Sequence, residues 1–297
     1  MKLVVDISGE RLDTYLSNNL SDFSRSKISK LIKNNNILVN GKTIKSGYII
    51  KEGDIIEINY EEEVMDVVPE KMDLDIVYED DDVIVVNKAN GVVVHPAVGN
   101  NHGTLVNGLM YHSNSLSSVN GEFRPGIVHR IDAYTTGLLM VAKNDKAHDI
   151  LARQLEKKTT TRVYYALVWG VITNDTGTID APIGRDSNDR KKMAVTDINA
   201  KEAITHFKVL ERYKNATLIE VKLETGRTHQ IRVHMNYIGH PVVNDPVYGR
   251  RKIIDETGQC LHAKTLGFIH PTKNEYMEFD SNLPNCFTNI LEKLKNE

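Results

Sequence analysis

The chain has 297 residues, of which 40% are hydrophobic and 26% charged, proportions typical of a globular protein. No run of 18 or more apolar residues occurs, so we expect no transmembrane helix. The acidic N-terminal residues lack the apolar core of a signal peptide. Cys260 and Cys286 are too few for a disulfide framework, and we therefore predict a reduced, cytoplasmic protein.

Acidic residues are concentrated in one short stretch. The net charge is −3 overall, but it is +2 over residues 1–60, −10 over residues 61–82 and +5 over residues 83–297. The distribution of charge therefore says more about partners than the total does. Both regions that flank the acidic stretch are basic enough to carry a local RNA-binding face.

Three consecutive glutamates and Pro69 disfavour regular packing within this stretch. We predict an acidic linker at residues 61–72, between a small domain at residues 10–60 and a large domain at residues 73–297. The linker separates the domains and favours solubility. A competing interpretation is that it mimics RNA and covers a basic site.

The small domain contains a predicted basic helix. Ser24 is a suitable N-cap for a helix over Arg25–Lys33. Its inner face carries Ile28, Leu31 and Ile32, and its outer face carries Arg25, Lys27, Lys30 and Lys33. Short strands are predicted at Ile37–Val39 and Ile55–Ile58, with a hairpin turn at Asn40-Gly41. The basic face is equally compatible with an ordinary solvated helix surface.

The sequence of this region resembles the S4 RNA-binding domain along its whole length. The matching patterns are R-L-D-x-x-L, S-R-S-x-I-x-K-L-I and I-L-V-N-G-K. The resemblance implies that Arg25, Lys27 and Lys30 contact RNA phosphates. Such contacts supply affinity and register rather than base identity.

The large domain contains more predicted strands than helices. We predict strands at residues 83–86, from residue 92, and at residues 138–142, 162–170 and 216–224. We predict helices near residues 105–110, after a cap at Asp145, and at Thr228–Ile238 with closure by Gly239. We therefore expect an α+β fold with a mixed, largely antiparallel sheet.

A polar loop precedes the buried strand at residues 138–142. It carries a cation, the carboxylate of Asp132 and two hydroxyl groups, and Gly137 marks its transition into the strand. A loop tip held by a rigid strand is a suitable mounting for a reactive carboxylate. Aspartate is also a common turn former, so an ordinary surface turn is the alternative.

Two further segments could carry chemistry. Tyr164 and Tyr165 are neighbours on a predicted strand, so their side chains face opposite ways. The segment E-T-G-R-T-H-Q-I-R-V-H at residues 224–234 holds two arginines and two histidines, a composition compatible with a phosphate or metal site. His229 and His234 have i, i+5 spacing, unlike the i, i+4 pair of a zinc helix, so we expect no metal there.

The segment at residues 129–144 closely resembles the H-R-L-D signature of the RluA/RluD class of pseudouridine synthases. It departs at Ile131 and at Ala133-Tyr134, where the family usually has charged residues. The resemblance implies that Asp132 is the catalytic aspartate and that Tyr164, rather than Tyr165, faces the target base.

Other motifs extend the resemblance and imply further roles. In R-V-Y-Y-A-L-V, Arg162 stands where the family usually has lysine, and G-R-T-H-Q-I-R-V-H, the D-P-V-Y-G loop and L-H-A match nearly unchanged. Arg232 is implied to pair with Asp132 and to favour its ionised form. Arg130 is implied to fill the space left by a flipped base, and Arg227 and His229 to contribute to RNA binding.

The resemblance is nearest to the RluD branch, in part because an S4-like domain precedes the catalytic domain. It implies a monomeric, cytoplasmic isomerase that converts stem-loop uridines of large-subunit (23S) ribosomal RNA to pseudouridine, with no cofactor and no metal. Attack of the carboxylate at C6 or at the ribose remains open. The alternatives are a non-catalytic RNA-binding or ribosome-assembly protein, and an aspartyl hydrolase, for which the motifs supply no second carboxylate.

Overall fold

The computed structural model describes residues 1–20, 23–60, 67–96, 100–121, 123–189, 192–249 and 253–297. The chain divides into two compact units, Met1–Val64 and Met65–Glu297. The predicted linker falls at this division, although its residues 61–66 lie outside the described part. Among the described helices, none is long and apolar enough to cross a membrane.

The small unit packs two helices against a four-stranded sheet. Its elements are β1 (Lys2–Val4), α1 (Leu12–Asn19), α2 (Arg25–Lys33), β2 (Ile37–Val39), β3 (Lys42–Thr43) and β4 (Ile55–Ile58), and the strand order is β1-β4-β2-β3. The Ser24 hydroxyl accepts the Lys27 N–H at 3.3 Å, so the predicted N-cap is confirmed. Asn40 and Gly41 both have positive φ, as a tight hairpin turn requires.

The large unit is built on one nine-stranded sheet. The described strands of the unit, including two that lie outside this sheet, are β5 (Asp75–Glu79), β6 (Val83–Lys88), β7 (Thr136–Ala142), β8 (Thr161–Trp169), β9 (Thr176–Asp180), β10 (Ile183–Arg185), β11 (Met193–Val195), β12 (Ile204–Arg212), β13 (Ala216–Leu223), β14 (Leu261–Ile269) and β15 (Tyr276–Asp280). Its helices are α3 (Leu105–His112), α4 (Asp145–Glu156), α5 (Gln230–Tyr237) and α6 (Asn285–Lys295).

The main sheet has the order β5-β6-β7-β14-β8-β13-β12-β9, with β15 paired to β14, while β10 and β11 form a separate hairpin. All of these pairings are antiparallel except that of β7 with β14. The prediction of an α+β fold with a mixed, largely antiparallel sheet is therefore confirmed. One face buries an apolar core that includes Tyr164, Ile231 and Leu261.

Three local predictions were wrong. No strand begins at Val92, because the carbonyl groups of Val93 and Val94 accept the first N–H groups of α3, at 2.8 and 3.0 Å. Asn144, not Asp145, caps α4, since its side chain accepts the Ala147 N–H at 2.9 Å. Helix α5 begins two residues later than predicted, after a left-handed residue at position 229, although Gly239 follows its end as expected.

Gly137 stands where two segments distant in sequence meet most closely. The parallel contact between β7 and β14 is short, with Thr136 opposite His262 and Gly137 opposite Ala263. Gly137 has a φ of +106°, and a Cβ atom there would overlap the carbonyl oxygen of Ala263. Only glycine meets both requirements, so this residue sets how closely the strand after the Asp132 loop approaches β14.

We expect Gly137→Ala to lower the free energy of unfolding by roughly 3 kcal/mol, because backbone strain adds to steric overlap. Gly91→Ala is a matched control, since Gly91 has a φ of +78° but open space around it. It should cost about 1 kcal/mol from strain alone. Denaturant unfolding followed by fluorescence of Trp169, the single tryptophan, measures both. Equal losses in the two variants would contradict the steric explanation.

Candidate active site

The Asp132 loop is fixed from below by a buried lysine. Lys88, at the end of β6, is 2% exposed, and its ammonium group donates to the carbonyl oxygens of Ala133, Val92 and Ala89 at 2.7, 2.8 and 2.9 Å. Burial lowers the pKa of Lys88 to about 7, and the nearby charge of Asp132 opposes this effect. The residue after Asp132 is therefore tied to the sheet.

Buried polar contacts hold the other end of the loop. The Thr136 hydroxyl shares a 2.8 Å hydrogen bond with Nδ1 of His262, and Nε2 of His262 lies 2.9 Å from the Ser281 hydroxyl. Gln259 donates to the Thr135 hydroxyl at 3.1 Å. Burial lowers the pKa of His262 to about 4, so this ring is neutral at pH 7. The loop therefore enters β7 from a fixed position.

The guanidinium of Arg232, on α5, is shared between two carboxylates. Its Nη1 donates to Oδ2 of Asp132 at 2.8 Å, while Nε and Nη2 donate to Oδ2 and Oδ1 of Asp245 at 2.7 and 2.9 Å. The side chain of Arg232 is 5% exposed, that of Asp245 is fully buried, and that of Asp132 is 25% exposed. The Asp132–Arg232 pair, expected from the resemblance, is present in the structure.

Burial alone would lower the pKa of Arg232, but the two carboxylates outweigh burial and raise it. Burial likewise opposes ionisation of Asp245, and its hydrogen bonds from Arg232 outweigh this and lower its pKa. Sequence reasoning missed Asp245. The resemblance included the D-P-V-Y-G motif at residues 245–249, but nothing in the local sequence indicates that its aspartate pairs with Arg232, thirteen residues earlier.

His229 lies beside the free oxygen of Asp132. The Tyr248 hydroxyl accepts the Met193 N–H at 2.9 Å and shares a 2.8 Å hydrogen bond with Nδ1 of His229. Nε2 of His229 lies 3.8 Å from Oδ1 of Asp132. Burial lowers the pKa of His229.

A cavity of about 460 Å³ opens above these residues. Among its lining residues are Asp132, Tyr164, Arg162, Arg232, His229 and Leu261. Tyr164 is 7% exposed and its burial raises its pKa, whereas Tyr165 does not line the cavity. A volume of this size suits one small organic group.

Two of the expected RNA-binding arginines also line the cavity. Arg130 is exposed, and its Nη2 lies 3.4 Å from the Thr228 hydroxyl. Arg227 donates from Nε to the carbonyl oxygen of Glu202 at 2.8 Å. Both cations stand where an incoming polyanion would approach Asp132.

The remaining expected RNA contacts lie in the small unit. Arg25 and Lys30 are exposed, and the Arg25 guanidinium donates to the hydroxyl of Thr14. The ammonium of Lys27 lies 4.4 and 4.5 Å from the ring centres of Phe23 and Tyr60. A phosphate that reached Lys27 would therefore also meet this aromatic pair.

One group of possible metal ligands occurs among the described residues. Asp80, Asp82 and His270 bring ligand atoms within 4.8 Å of one another. Lys273 already places its ammonium 2.9 Å from Oδ2 of Asp80, and His270 Nε2 lies 2.8 Å from the same oxygen. His270 Nδ1 accepts the Lys273 N–H at 3.1 Å, so these groups satisfy one another. None of the three acidic or histidine residues lines the cavity.

Comparison with known proteins agrees with this geometry. Residues 82–237 match the model of the RNA pseudouridylate synthase family, and residues 10–56 match that of the S4 domain. The solved structure of human RNA pseudouridylate synthase domain containing 1 covers 80% of this chain and 98% of its own, with a TM-score of 0.59 and 27% identity. The fold is thus that of a pseudouridine synthase.

Full-length relatives extend the match across both units. The RNA pseudouridine synthase YlyB of Bacillus subtilis (strain 168) is 55% identical over 96% of this chain and 94% of its own length. Ribosomal large subunit pseudouridine synthase D of Neisseria meningitidis serogroup B is 45% identical over 99% of this chain and 81% of its own. The chain belongs to the RNA pseudouridylate synthase family, and it is an isomerase with an S4 domain ahead of its catalytic unit.

We expect Asp245→Asn to reduce pseudouridine formation strongly and to lower the free energy of unfolding by about 3–5 kcal/mol, because it removes one partner of a buried ion pair. Asp175→Asn is a matched control: Asp175 also pairs with an arginine, Arg212, but its side chain is 84% exposed. That variant should lose less than about 1 kcal/mol. Denaturant unfolding and an RNA pseudouridine assay measure the two effects. A stable, fully active Asp245→Asn enzyme would show that Arg232 needs no second carboxylate.

Proposed function

We propose that this enzyme converts uridine to pseudouridine in large-subunit ribosomal RNA, with Asp132 as the nucleophile. The observation that carries the proposal is the 2.8 Å ion pair of Asp132 with Arg232 in the wall of a cavity that also exposes Tyr164. The choice of RNA is supported by full-length relatives named ribosomal large subunit pseudouridine synthase D, in Neisseria and in Pseudomonas aeruginosa.

The reaction moves the uracil from an N1–C1′ bond to a C5–C1′ bond. It needs a nucleophile, a site that holds the base while it turns, and groups that move protons. Arg232 orients the Asp132 carboxylate through its Nη1 hydrogen bond to Oδ2, so that the other oxygen remains available to the substrate. The atoms of substrate and product are the same, so the isomerisation needs no redox cofactor.

The target base must leave its stack to reach a carboxylate inside a cavity. Arg130 is exposed at the edge of the cavity, two residues before Asp132, and we assign it to the space that the base vacates. Tyr164 offers a ring face for stacking and a phenol for proton transfer. Arg227 and His229 complete the set of groups assigned to RNA on this side.

The small unit is assigned to RNA affinity, through Arg25, Lys27 and Lys30. We place the domain boundaries at residues 10–60 and 73–297, with the acidic linker at residues 61–72. The S4 match at residues 10–56 and the division of the chain between Val64 and Met65 support a change of domain within the acidic stretch. We further propose that the enzyme is a cytoplasmic monomer that needs no metal and acts on stem-loop uridines of 23S ribosomal RNA.

We expect Asp132→Asn to keep RNA affinity within a few-fold while removing pseudouridine formation, since the amide is nearly isosteric but is not a nucleophile. Asp149→Asn, on the exposed face of α4, should retain full activity. The measurement is pseudouridine in transcribed large-subunit ribosomal RNA after incubation with each protein. Substantial turnover by the Asp132→Asn enzyme would refute the assignment of the nucleophile.

We expect the double variant Arg25→Ala, Lys30→Ala to bind ribosomal RNA more weakly and with a flatter salt dependence. The slope of log K against log salt should fall by about 0.7 for each single-strand phosphate that the variant no longer neutralises. Single-turnover rates at saturating RNA should stay near those of the wild type. The double variant Lys45→Ala, Lys51→Ala removes the same charge from exposed positions away from α2. Equal slopes in wild type and the α2 variant would show that α2 does not touch RNA.

A further inference from the structure

Arg162 is a buried cation with no acidic partner among the described residues. It is 8% exposed, its Nη2 donates to the carbonyl oxygen of Glu224 at 3.3 Å, and its Nε has no hydrogen-bond partner. The carboxylate of Glu224 is engaged elsewhere, 2.7 Å from His206 and 3.5 Å from Lys158. A buried guanidinium with no counter-ion and an unpartnered Nε is costly, so this position is suited to an oxygen ligand that arrives with the substrate.

The guanidinium belongs to the wall of the cavity. Arg162 and Tyr164 are two residues apart on β8, so they share one face of the sheet at a spacing of roughly 7 Å. Both line the cavity together with Asp132. Gly226 leaves room for the guanidinium, since a Cβ atom at that position would come within 2.8 Å of Nη1.

A second donor of the cavity wall is neutral. Nε2 of His129 accepts the Met140 N–H at 3.1 Å, so the ring carries its proton on Nδ1. Burial, reinforced by the charge of Arg162, lowers the pKa of His129 to about 3. Arg162 is therefore a charged donor of the cavity wall that is not paired with a carboxylate among the described residues, whereas Arg232 is already shared by two carboxylates.

The isomerisation places negative charge on O4 of the uracil whichever way Asp132 acts. Attack at C6 forms an O–C6 bond and moves a ring electron pair onto C5 and O4. Attack at the ribose breaks the N1–C1′ bond, and its electron pair stays on the uracil, shared by N1, O2 and O4. In the first route the N1–C1′ bond then breaks, C5 bonds to C1′, and transfer of the C5 proton to a base expels Asp132 from C6. In the second route Asp132 forms an O–C1′ bond, C5 displaces Asp132 from C1′, and the C5 proton passes to a base. N1 takes up a proton from water in both routes, so the atoms balance.

We propose that Arg162 donates a hydrogen bond to O4 of the flipped uracil and stabilises the negative charge that develops there. This inference rests on the proposed function. It also assigns to Arg162 a part in base selection, because cytosine carries an amino group at C4 and would present a donor to a donor. A fixed cation aimed at developing charge, away from water, contributes strongly to rate and little to binding of the ground state.

The first test compares Arg162→Met and Arg162→Lys in the full-length protein. The RNA is a short stem-loop taken from the position that the wild type modifies in large-subunit ribosomal RNA. We expect Arg162→Met to lower the single-turnover rate at saturating RNA about 100-fold, with RNA affinity unchanged within about threefold. Arg162→Lys should recover part of the rate. Arg212→Met, the same replacement at an exposed position of β12 that does not line the cavity, should keep the wild-type rate.

The second test changes the acceptor instead of the donor. Replacing the target uridine with 4-thiouridine puts a weak acceptor at the proposed contact, and 2-thiouridine is the matched control. The rate ratio of wild type to Arg162→Met should shrink at least tenfold with 4-thiouridine and stay unchanged with 2-thiouridine. A merely structural role of Arg162 predicts the same ratio for all three RNAs. If Arg162→Met does not fold, the same ratio is measured with Arg162→Lys.

The outcomes separate this inference from the proposed function. A wild-type enzyme that forms no pseudouridine in large-subunit ribosomal RNA overturns both. An active wild type with an equally active Arg162→Met variant, or with a ratio that does not respond to 4-thiouridine, overturns only the role of Arg162. A slow variant whose ratio collapses with 4-thiouridine supports the contact with O4.

Discussion

The candidate active site depends on the guanidinium of Arg232, which pairs with two carboxylates, those of Asp132 and Asp245. Asp245 is fully buried and also accepts the N–H groups of Val247 and Tyr248, at 2.8 and 3.0 Å, so its position is set by its own turn. It holds two nitrogens of Arg232 and leaves Nη1 for Asp132. The orientation of the proposed nucleophile is therefore set, through Arg232, by a loop more than a hundred residues away in the sequence. The three charges sum to −1, which leaves Oδ1 of Asp132 as the exposed, electron-rich end of the group.

A second buried cation fixes the backbone beneath the Asp132 loop. The ammonium group of Lys88 donates hydrogen bonds to three backbone carbonyl oxygens. One of these oxygens belongs to the residue after Asp132. Gly137 then lets β7 approach β14 more closely than any side chain would allow. These contacts leave the carboxylate itself unencumbered, because they act on the backbone around it. Rigidity of the loop and reactivity of the side chain are thus supplied by separate groups.

Features specified by neighbouring residues were predictable from the sequence. The helix α2, its cap at Ser24 and the hairpin at Asn40-Gly41 depend on contacts within a few positions. The run Val92–Val94 has the composition of a strand, but its carbonyl groups are used to begin α3, and composition alone does not report that choice. The hydrophobic pattern of the sequence likewise did not indicate β14, whose contact with β7 joins parallel segments far apart in the chain.

The residues of the candidate site can be separated in the same way, into those that sequence motifs indicate and those that depend on tertiary packing. The motif resemblance identified Asp132, Tyr164 and Arg232, and the structure brings these three residues to one cavity. It did not identify Asp245 as a partner of Arg232, because that relation exists only after α5 and the following turn pack together. The left-handed backbone of His229 is another tertiary feature, since a histidine after threonine carries no local signal for a φ of +58°.

The short parallel contact between β7 and β14 has a consequence for the order in which the protein becomes competent during its synthesis. The small unit has its own apolar core within the first 64 residues, so it can fold soon after it leaves the ribosome. The strand that follows the Asp132 loop can pair with β6, which precedes it, but its second partner, near residue 263, emerges late, as do Arg232 and Asp245. With the small unit assigned to RNA affinity as proposed above, a nascent chain would be able to hold RNA long before it could modify it, and a truncated product would bind RNA without turnover.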